Sequence, residues 1–161
     1  MMSFDRIIFT TLIAFMLGAV VPASALAKHG PKESSSITFQ PSRQQQLPVF
    51  SVRYEGSIST VDSAWGGLAF GTYGGAVITN LSLGYRRYVS GDFSSGWFVS
   101  PFLSSVKIVA GSDSLTFNSF SATYGGKHIF KSGFTLEGAL GLNISNQGLN
   151  AIGDVGMGWS F

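Results

Sequence analysis

The sequence predicts an all-β protein, an antiparallel up-and-down transmembrane β-barrel of eight strands that follows a cleaved signal peptide. Charged residues make up only 11% of the chain, whereas Gly numbers 21 and Phe 14. Soluble domains carry about one-quarter charged residues. Behind the leader, no apolar stretch is long enough for a transmembrane helix, so a closed barrel is the remaining way to cross a bilayer. Apolar and small polar residues alternate along most of the chain, which is typical of strands with two different faces.

The N-terminus has the pattern of a secretory signal peptide. The leader MMSFDR runs into the apolar stretch IIFTTLIAFMLGAVV, which is followed by Pro22 and the overlapping small-residue sites of ASALA. We expect residues 1–27 to be removed by cleavage after Ala27, with cleavage after Ala25 as the alternative. An uncleaved anchor is disfavoured, because the apolar run is shorter than the roughly 18 to 20 residues of a spanning helix.

Residues 28–47 are rich in Ser, Gln and Pro, and this composition predicts a flexible arm. Within the arm, the patch SITFQ at 36–40 is a candidate for a short first strand. The barrel itself is expected over residues 48–161, a length that suits one domain.

After Pro48 the chain alternates between stretches typical of strands and turn residues. The breaks VSGDFSSG, AGSDS, FKSG and SNQGLN contain the Gly, Asn, Asp and Ser residues that favour turns. Bacterial barrels contain an even number of strands, so the patch at 36–40 is expected to supply the eighth. The seven clear strands are predicted at 49–60, 64–73, 76–89, 96–109, 115–130, 133–145 and 150–161.

The alternation assigns the two faces of the barrel. In FTLEGALGLNIS one parity holds Phe, Leu and Ile with a single Gly, while the other holds Thr, Glu, Asn, Ser and small residues. Small polar side chains suit the crowded lumen of a narrow barrel, so the apolar parity is predicted to face lipid. Aromatic residues near strand ends are typical of interfacial girdles, and the candidates are Tyr85, Tyr88, Trp97, Phe130, Trp159 and Phe161.

Six charged residues, three of each sign, fall on the predicted lumen parity. An unpaired buried charge costs several kcal/mol, so we expect the six to neutralise one another in a structural ion network. A paired-carboxylate site at Glu137 and Asp154 is the alternative, and the positive charges of Arg86 and Lys127 disfavour it. The six residues are Arg53, Glu55, Arg86, Lys127, Glu137 and Asp154.

The last strand carries a resemblance to a known class of protein. Its alternating residues Val155, Met157, Trp159 and Phe161 resemble the assembly signal of Gram-negative outer-membrane proteins, which the barrel-assembly machinery recognises. The stretches LGYRRYVSGDFSSGWFVSPFLSS, SATYGGKHIF and GFTLEGALGLNIS are similar to small outer-membrane barrels of the OmpA and OmpX type. The resemblance implies a location in the outer membrane of a Gram-negative bacterium. It also implies outer-membrane lipid, lipopolysaccharide and the barrel-assembly machinery as partners.

In size the chain resembles lipid A deacylases, which are barrels that carry His-x-Ser-Asn, so an enzymatic function is an alternative. The nearest match is Asn143-Ile144-Ser145-Asn146, in which Asn replaces the base that would activate the serine. The two histidines are His29, in the predicted arm, and His128, on the apolar parity of its strand. No base is predicted to pair with a nucleophile, so we expect no catalytic residues.

The expected function is that of an integral outer-membrane barrel with a structural role or a role in binding the envelope or a partner. No cofactor or metal is predicted, because the chain has no Cys and its Gly-rich stretches precede no helix that would receive a phosphate. The net charge of +2 gives no reason to expect a nucleic-acid partner. Two alternatives stay open: a lipid A-modifying enzyme of the deacylase type, and a soluble periplasmic barrel that binds a lipid inside.

Overall fold

The computed structural model of the chain describes residues 34–44 and 47–161. The predicted signal peptide over 1–27, its cleavage site and His29 lie outside the described residues. Within the two described ranges, no helix has the length and apolar character needed to cross a membrane.

Eight antiparallel strands close into one barrel in the order of the sequence, with β8 paired to β1. The prediction of an all-β fold with eight antiparallel strands closed into a barrel is confirmed. The strands are β1 (Ser35–Gln44), β2 (Leu47–Ser57), β3 (Asp62–Tyr73), β4 (Ala76–Gly91), β5 (Ser95–Ala110), β6 (Asp113–Ile129), β7 (Phe134–Ser145) and β8 (Gly148–Ser160).

The first strand is longer than the patch at 36–40. It pairs with β2 along its whole length, so residues 35–44 of the segment expected as a flexible arm are strand. Pro41 obscured this strand in the sequence, because a proline cannot donate to a ladder and is confined to strand edges and bulges. In the barrel, β1 pairs with β8 only as far as Phe39, so Pro41 lies beyond the last pair on that side. The buried, inward-facing residues of β1 are Ser36, Thr38 and Gln40.

The two ends of the barrel differ in their connections. β1 begins and β8 finishes at the end that we call the terminal end, where three connections of three or four residues also lie. At the opposite, distal end the described connections are two-residue turns. One of them consists of Gly74 and Gly75, with φ of 56° and 82°, and positive φ at both positions is what a tight hairpin turn needs.

The seam between β1 and β8 is the shortest strand pairing in the barrel. Four residue pairs form it, between 36–39 of β1 and 157–160 of β8. At the terminal end, the backbone of Phe161 adds three hydrogen bonds with Ser34 and Ser35. The barrel is therefore closed by a short ladder at one end only.

Toward the distal end the same two strands have no partner across the seam. This applies to residues 40–44 of β1 and 148–156 of β8, within the described part of the chain. Both strands continue to pair on their other sides up to the distal turns. We call this unpaired stretch between β1 and β8 the seam gap.

The outer face of the barrel is apolar over most of its height. Leu140 on β7 is 75% exposed, and Phe70 and Val155 are 57% and 64% exposed. Residues of the opposite parity point into the lumen, where small and polar side chains predominate. Most of the large apolar side chains of the strands therefore face outward.

Three adjacent strands form a wall that is taller than the rest of the barrel. β4, β5 and β6 have 16, 16 and 17 residues, whereas β1 has 10. We call these three strands the long wall. Toward its distal tips most of the outward-facing residues are polar, namely Thr79, Ser105, Lys107, Ser114, Thr116 and Asn118, with Val77 and Val109 among them.

The lumen also contains two apolar clusters. The alternation predicted small polar side chains there, so these clusters were not expected. The terminal plug contains Phe93, from the connection between β4 and β5, which is 0% exposed and whose N–H donates to Thr60 O at 3.1 Å. The expected place of Tyr88 in an outer girdle is wrong, because it shares the inward parity of Arg86 and is 3% exposed. The plug consists of Tyr88, Phe93, Phe98 and Ala139, with Val61 and Ile129 beside them. The distal cluster consists of Val49, Ala69, Ile78 and Val106, with Ile108 and Phe117 beside them.

Candidate functional site: a lumenal ion network and cavity

Glu55, on the lumen face of β2, holds one end of a buried ion network. Its carboxylate pairs with Arg86 Nη1 at 2.8 Å and with Lys127 Nζ at 3.0 Å. The hydroxyls of Ser63 and Tyr88 also donate to it. Because the carboxylate has two cations and two hydroxyls around it, burying it does not leave an unpaired charge.

Glu137 lies on β7 and closes the network from the opposite wall of the barrel. Arg86 Nη1 and Arg53 Nη1 contact its two oxygens at 2.8 Å and 3.0 Å. Gln40 Nε2 and the hydroxyl of Thr38, both from β1, donate to it at 2.6 Å and 3.1 Å. Glu137 therefore links β7 to β1, β2 and β4 across the lumen.

Asp154 ends the network at the cavity side. Arg53 Nη2 lies 3.2 Å from its Oδ2, and its side chain is 18% exposed. The structure thus brings the six predicted lumen charges together with a net charge of zero. The ion pairs form one chain of alternating sign, in the order Lys127, Glu55, Arg86, Glu137, Arg53 and Asp154.

Each cation of the network also lies over an aromatic ring. The Arg86 guanidinium is 3.7 Å from the ring centroid of Phe98, and Lys127 Nζ is 3.7 Å from that of Phe93. Such contacts strengthen as water is excluded. The position of Phe98 in the lumen was predictable from its parity in β5. The position of Phe93 was not, because Phe93 lies in a connection, where no periodic pattern applies. The third pair is Arg53 over Trp65, at 4.1 Å.

This arrangement favours a structural role over acid–base chemistry. Glu137 and Asp154, the residues of the paired-carboxylate alternative, both hold Arg53, so neither is a free carboxylate facing its partner. Among residues 34–44 and 47–161, no cluster of three or more His, Cys, Asp or Glu side chains could hold a metal ion. Together with the terminal plug, the network fills the terminal half of the lumen.

A cavity of about 580 Å³ lies on the distal side of the network. Arg53 and Asp154 are at its base, and hydroxyl and amide side chains form much of its wall. Asn80 is 5% exposed, and its Oδ1 has no hydrogen-bond partner among the described residues. The cavity hydroxyls belong to Ser51, Ser82, Ser104, Ser119, Ser121 and Thr123.

A second polar pair lies outside the barrel, near the terminal end. Ser95 Oγ and His128 Nδ1 are 2.9 Å apart across β5 and β6, and both side chains are exposed. Sequence reasoning missed this pair, because strand register brings together residues that are 33 positions apart. By contrast, the amide of Asn143, which replaces the histidine of the deacylase motif, donates to Ser119 and Ser121.

The residues of the predicted assembly signal form one outward row along β8 and the residue that follows it. Val155, Met157, Trp159 and Phe161 are 53–64% exposed. The Trp159 ring meets Phe134 of β7 edge-on at 5.3 Å. The row is therefore accessible from outside the barrel next to the seam.

Comparisons with protein-family models, with curated proteins and with solved structures find no match for this chain.

Proposed function

We propose that this chain is an integral β-barrel of the outer membrane of a Gram-negative bacterium, with a structural role or a role in binding the envelope or a partner, and no catalytic role. The observation that carries the proposal is the inverted placement of side chains. Arg86 is 1% exposed inside the barrel, whereas Leu140 is 75% exposed outside it. Soluble proteins place these residue types the other way round.

A lipid environment accounts for the outer face. Large apolar side chains in water are unfavourable in proportion to their exposed area, and contiguous patches of this extent mark interaction surfaces. Paired strands satisfy their backbone groups, which a bilayer demands. Strands of about 9–11 tilted residues span the hydrocarbon, and β1, the shortest, has 10.

Aromatic pairs on the outer face support the same location. Trp97 stacks on Tyr124 at 5.5 Å, and Phe134 lies against Trp159, both toward the terminal end. Membrane barrels carry such aromatic rings where hydrocarbon meets the headgroups. In the proposed orientation the terminal end faces the periplasm.

The partners in this proposal follow from the two exposed surfaces. Outer-membrane lipid and lipopolysaccharide contact the apolar outer face, and the barrel-assembly machinery binds the outward row of β8. The soluble periplasmic alternative is less well supported. A barrel that binds a lipid inside needs an apolar lumen, and this lumen holds six charges.

Phe161→Ala is expected to lower the amount of folded barrel in the membrane severalfold. The substitution removes the outward aromatic ring but keeps the backbone that bonds to Ser34 and Ser35. It therefore tests recognition by the barrel-assembly machinery without disturbing closure of the seam. The measurement is the membrane fraction on a denaturing gel with and without boiling, since a folded barrel changes its migration when boiled.

Leu149→Ala is the matched control, because Leu149 is also an outward residue of β8 and is 62% exposed. We expect wild-type amounts of the heat-modifiable form in this variant. Wild-type amounts in Phe161→Ala would contradict the assembly signal. A wild-type protein that shows no shift and collects in the soluble periplasmic fraction would overturn the membrane proposal itself.

A lipid-ester hydrolase is the second candidate, and the Ser95–His128 pair is the observation that favours it. A histidine in contact with a serine hydroxyl is the beginning of a nucleophilic site. The pair lies at the rim of an open groove that also includes Trp97 and Leu136. However, no described carboxylate bonds to His128. An ordinary cross-strand hydrogen bond between neighbouring side chains of β5 and β6 accounts for the same geometry.

The purified barrel is expected to release no fatty acid from lipid A or phospholipid in detergent micelles. If it does, Ser95→Ala should abolish the release, whereas Ser145→Ala should leave it unchanged. Hydrolysis that survives in Ser95→Ala and is lost in Ser145→Ala would instead place the nucleophile on β7.

A further inference from the structure

The distal cavity has the size and the wall of a ligand site rather than of a packing defect. Its volume of about 580 Å³ falls within the roughly 300–1,000 Å³ of small-molecule sites. The empty cavities that proteins tolerate are smaller and apolar, whereas this one has hydroxyl and amide groups on several strands. Phe102 and Trp65 add an aromatic edge, with their ring centroids 5.1 Å apart.

The polar groups of the cavity select for a neutral ligand. Arg53 and Asp154 at the base pair with each other, so their charges cancel. Serine, threonine and asparagine side chains each donate and accept hydrogen bonds, which matches a ligand that is rich in hydroxyls. Asn80 Oδ1 and Asp154 Oδ1 are buried acceptors without a partner among the described residues, and buried acceptors are stable when a donor reaches them.

The cavity adjoins both the distal turns and the seam gap. Gln147 and Asn150 line it at the distal turns, and Gln40, Ile152 and Asp154 line it where β1 and β8 are unpaired. The outer border of the seam gap on β8 is Leu149, Ala151, Gly153 and Val155, which present only apolar or small surfaces.

We propose that the distal cavity binds a saccharide, either free or as the head of a glycolipid whose chains pass through the seam gap. The hydroxyl groups of the sugar bond with the cavity wall and donate to Asn80 Oδ1, and its apolar ring face packs on Phe102. The glycolipid source rests on the proposed membrane location. The saccharide site does not, because it needs only the lumen.

The three tryptophans of the chain provide a direct readout. Trp65 lines the cavity, while Trp97 and Trp159 lie on the outer face. A Trp97→Phe and Trp159→Phe background leaves Trp65 as the single reporter. The purified protein in phosphatidylcholine vesicles would be titrated with maltose, with dodecyl maltoside and with dodecylphosphocholine, and the fluorescence of Trp65 followed.

A saturable change with both maltose and dodecyl maltoside supports the proposal with a free sugar as a source. A change with dodecyl maltoside alone supports the glycolipid. An equal response to dodecylphosphocholine, or no saturable response to any probe, overturns the proposal. Because the gel shift on boiling is recorded on the same samples, failure of the membrane location is seen separately from failure to bind a sugar.

Asn80→Leu is expected to weaken saccharide binding about tenfold, because one buried hydrogen bond to the ligand is lost. Thr79→Val is the matched control on the same strand, since Thr79 faces outward, and it should bind as the wild type does. Asn80→Ser is a smaller change that keeps a polar group, and its affinity for the saccharide should be lower than that of Thr79→Val. It replaces Asn80→Leu in the test if Asn80→Leu fails to fold. Equal affinity in Asn80→Ser, Thr79→Val and the wild type would contradict the site.

Discussion

Arg86→Met is expected to lower the free energy of unfolding by about 3–5 kcal/mol, because it leaves Glu55 and Glu137 without the cation that they share. Arg86 Nη1 lies 2.8 Å from both carboxylates, and its side chain is 1% exposed. Water cannot compensate for the lost charge at that depth. Urea titration of the barrel in phosphatidylcholine vesicles, read by migration on an unboiled gel, measures the change.

Arg87→Met is the matched control for this variant. Arg87 is the next residue on β4 but faces outward, is 64% exposed and lies 3.9 Å from Asp62. An exposed ion pair contributes little, so little change is expected. Adding Glu137→Gln to Arg86→Met should recover part of the stability, because it returns the network to a net charge of zero, with Lys127 still paired to Glu55 and Arg53 to Asp154. Equal unfolding midpoints for Arg86→Met and Arg87→Met would contradict the network.

Gly158→Ala is expected to lower the free energy of unfolding by about 1–3 kcal/mol, the cost of overpacking a filled site. A Cβ at Gly158 would lie 2.7 Å from the carbonyl carbon of Ile37 and from Thr38 Cα. These are backbone atoms of β1, so they can move only if the two strands separate. Since four residue pairs form the seam, the substitution acts where the barrel has least pairing to lose.

Gly67→Ala separates this effect from a general intolerance of the lumen to methyl groups. Gly67 also faces inward, but a Cβ there would come no closer than 3.5 Å to Val52 O, which is an ordinary contact. We expect its unfolding midpoint to match the wild type in the same urea titration. Gly158→Ala leaves the outward row of β8 unchanged, so an effect on stability would come from the seam itself. Equal unfolding midpoints for Gly158→Ala and Gly67→Ala would argue against a tight seam.

The period of two made much of the barrel predictable. Glu137 and Arg86 were assigned to the lumen because parity alone decides the face, and the balance of three positive and three negative charges indicated that they pair. Which charge meets which was not predictable. The partners lie 31 to 101 residues apart, and the stagger of the strands, which no local pattern encodes, sets their heights in the lumen.

The parts that sequence reasoning missed lack a periodic signal. Phe93 enters the plug from a connection, where alternation says nothing. The full extent of β1 was hidden by Pro41 and by a composition typical of linkers. The Ser95–His128 pair and the cavity both depend on register, because each is formed by side chains from strands that are distant in the sequence.

The unequal strand heights have a consequence for how the barrel sits in the bilayer. β5 exceeds β1 by six residues, which is about 20 Å along the strand at 3.3 Å per residue. In the proposed membrane location, the 10 residues of β1 already span the hydrocarbon. The distal tips of the long wall therefore stand clear of it as a rigid sheet, and the rim of the barrel drops to the membrane surface beside the seam gap.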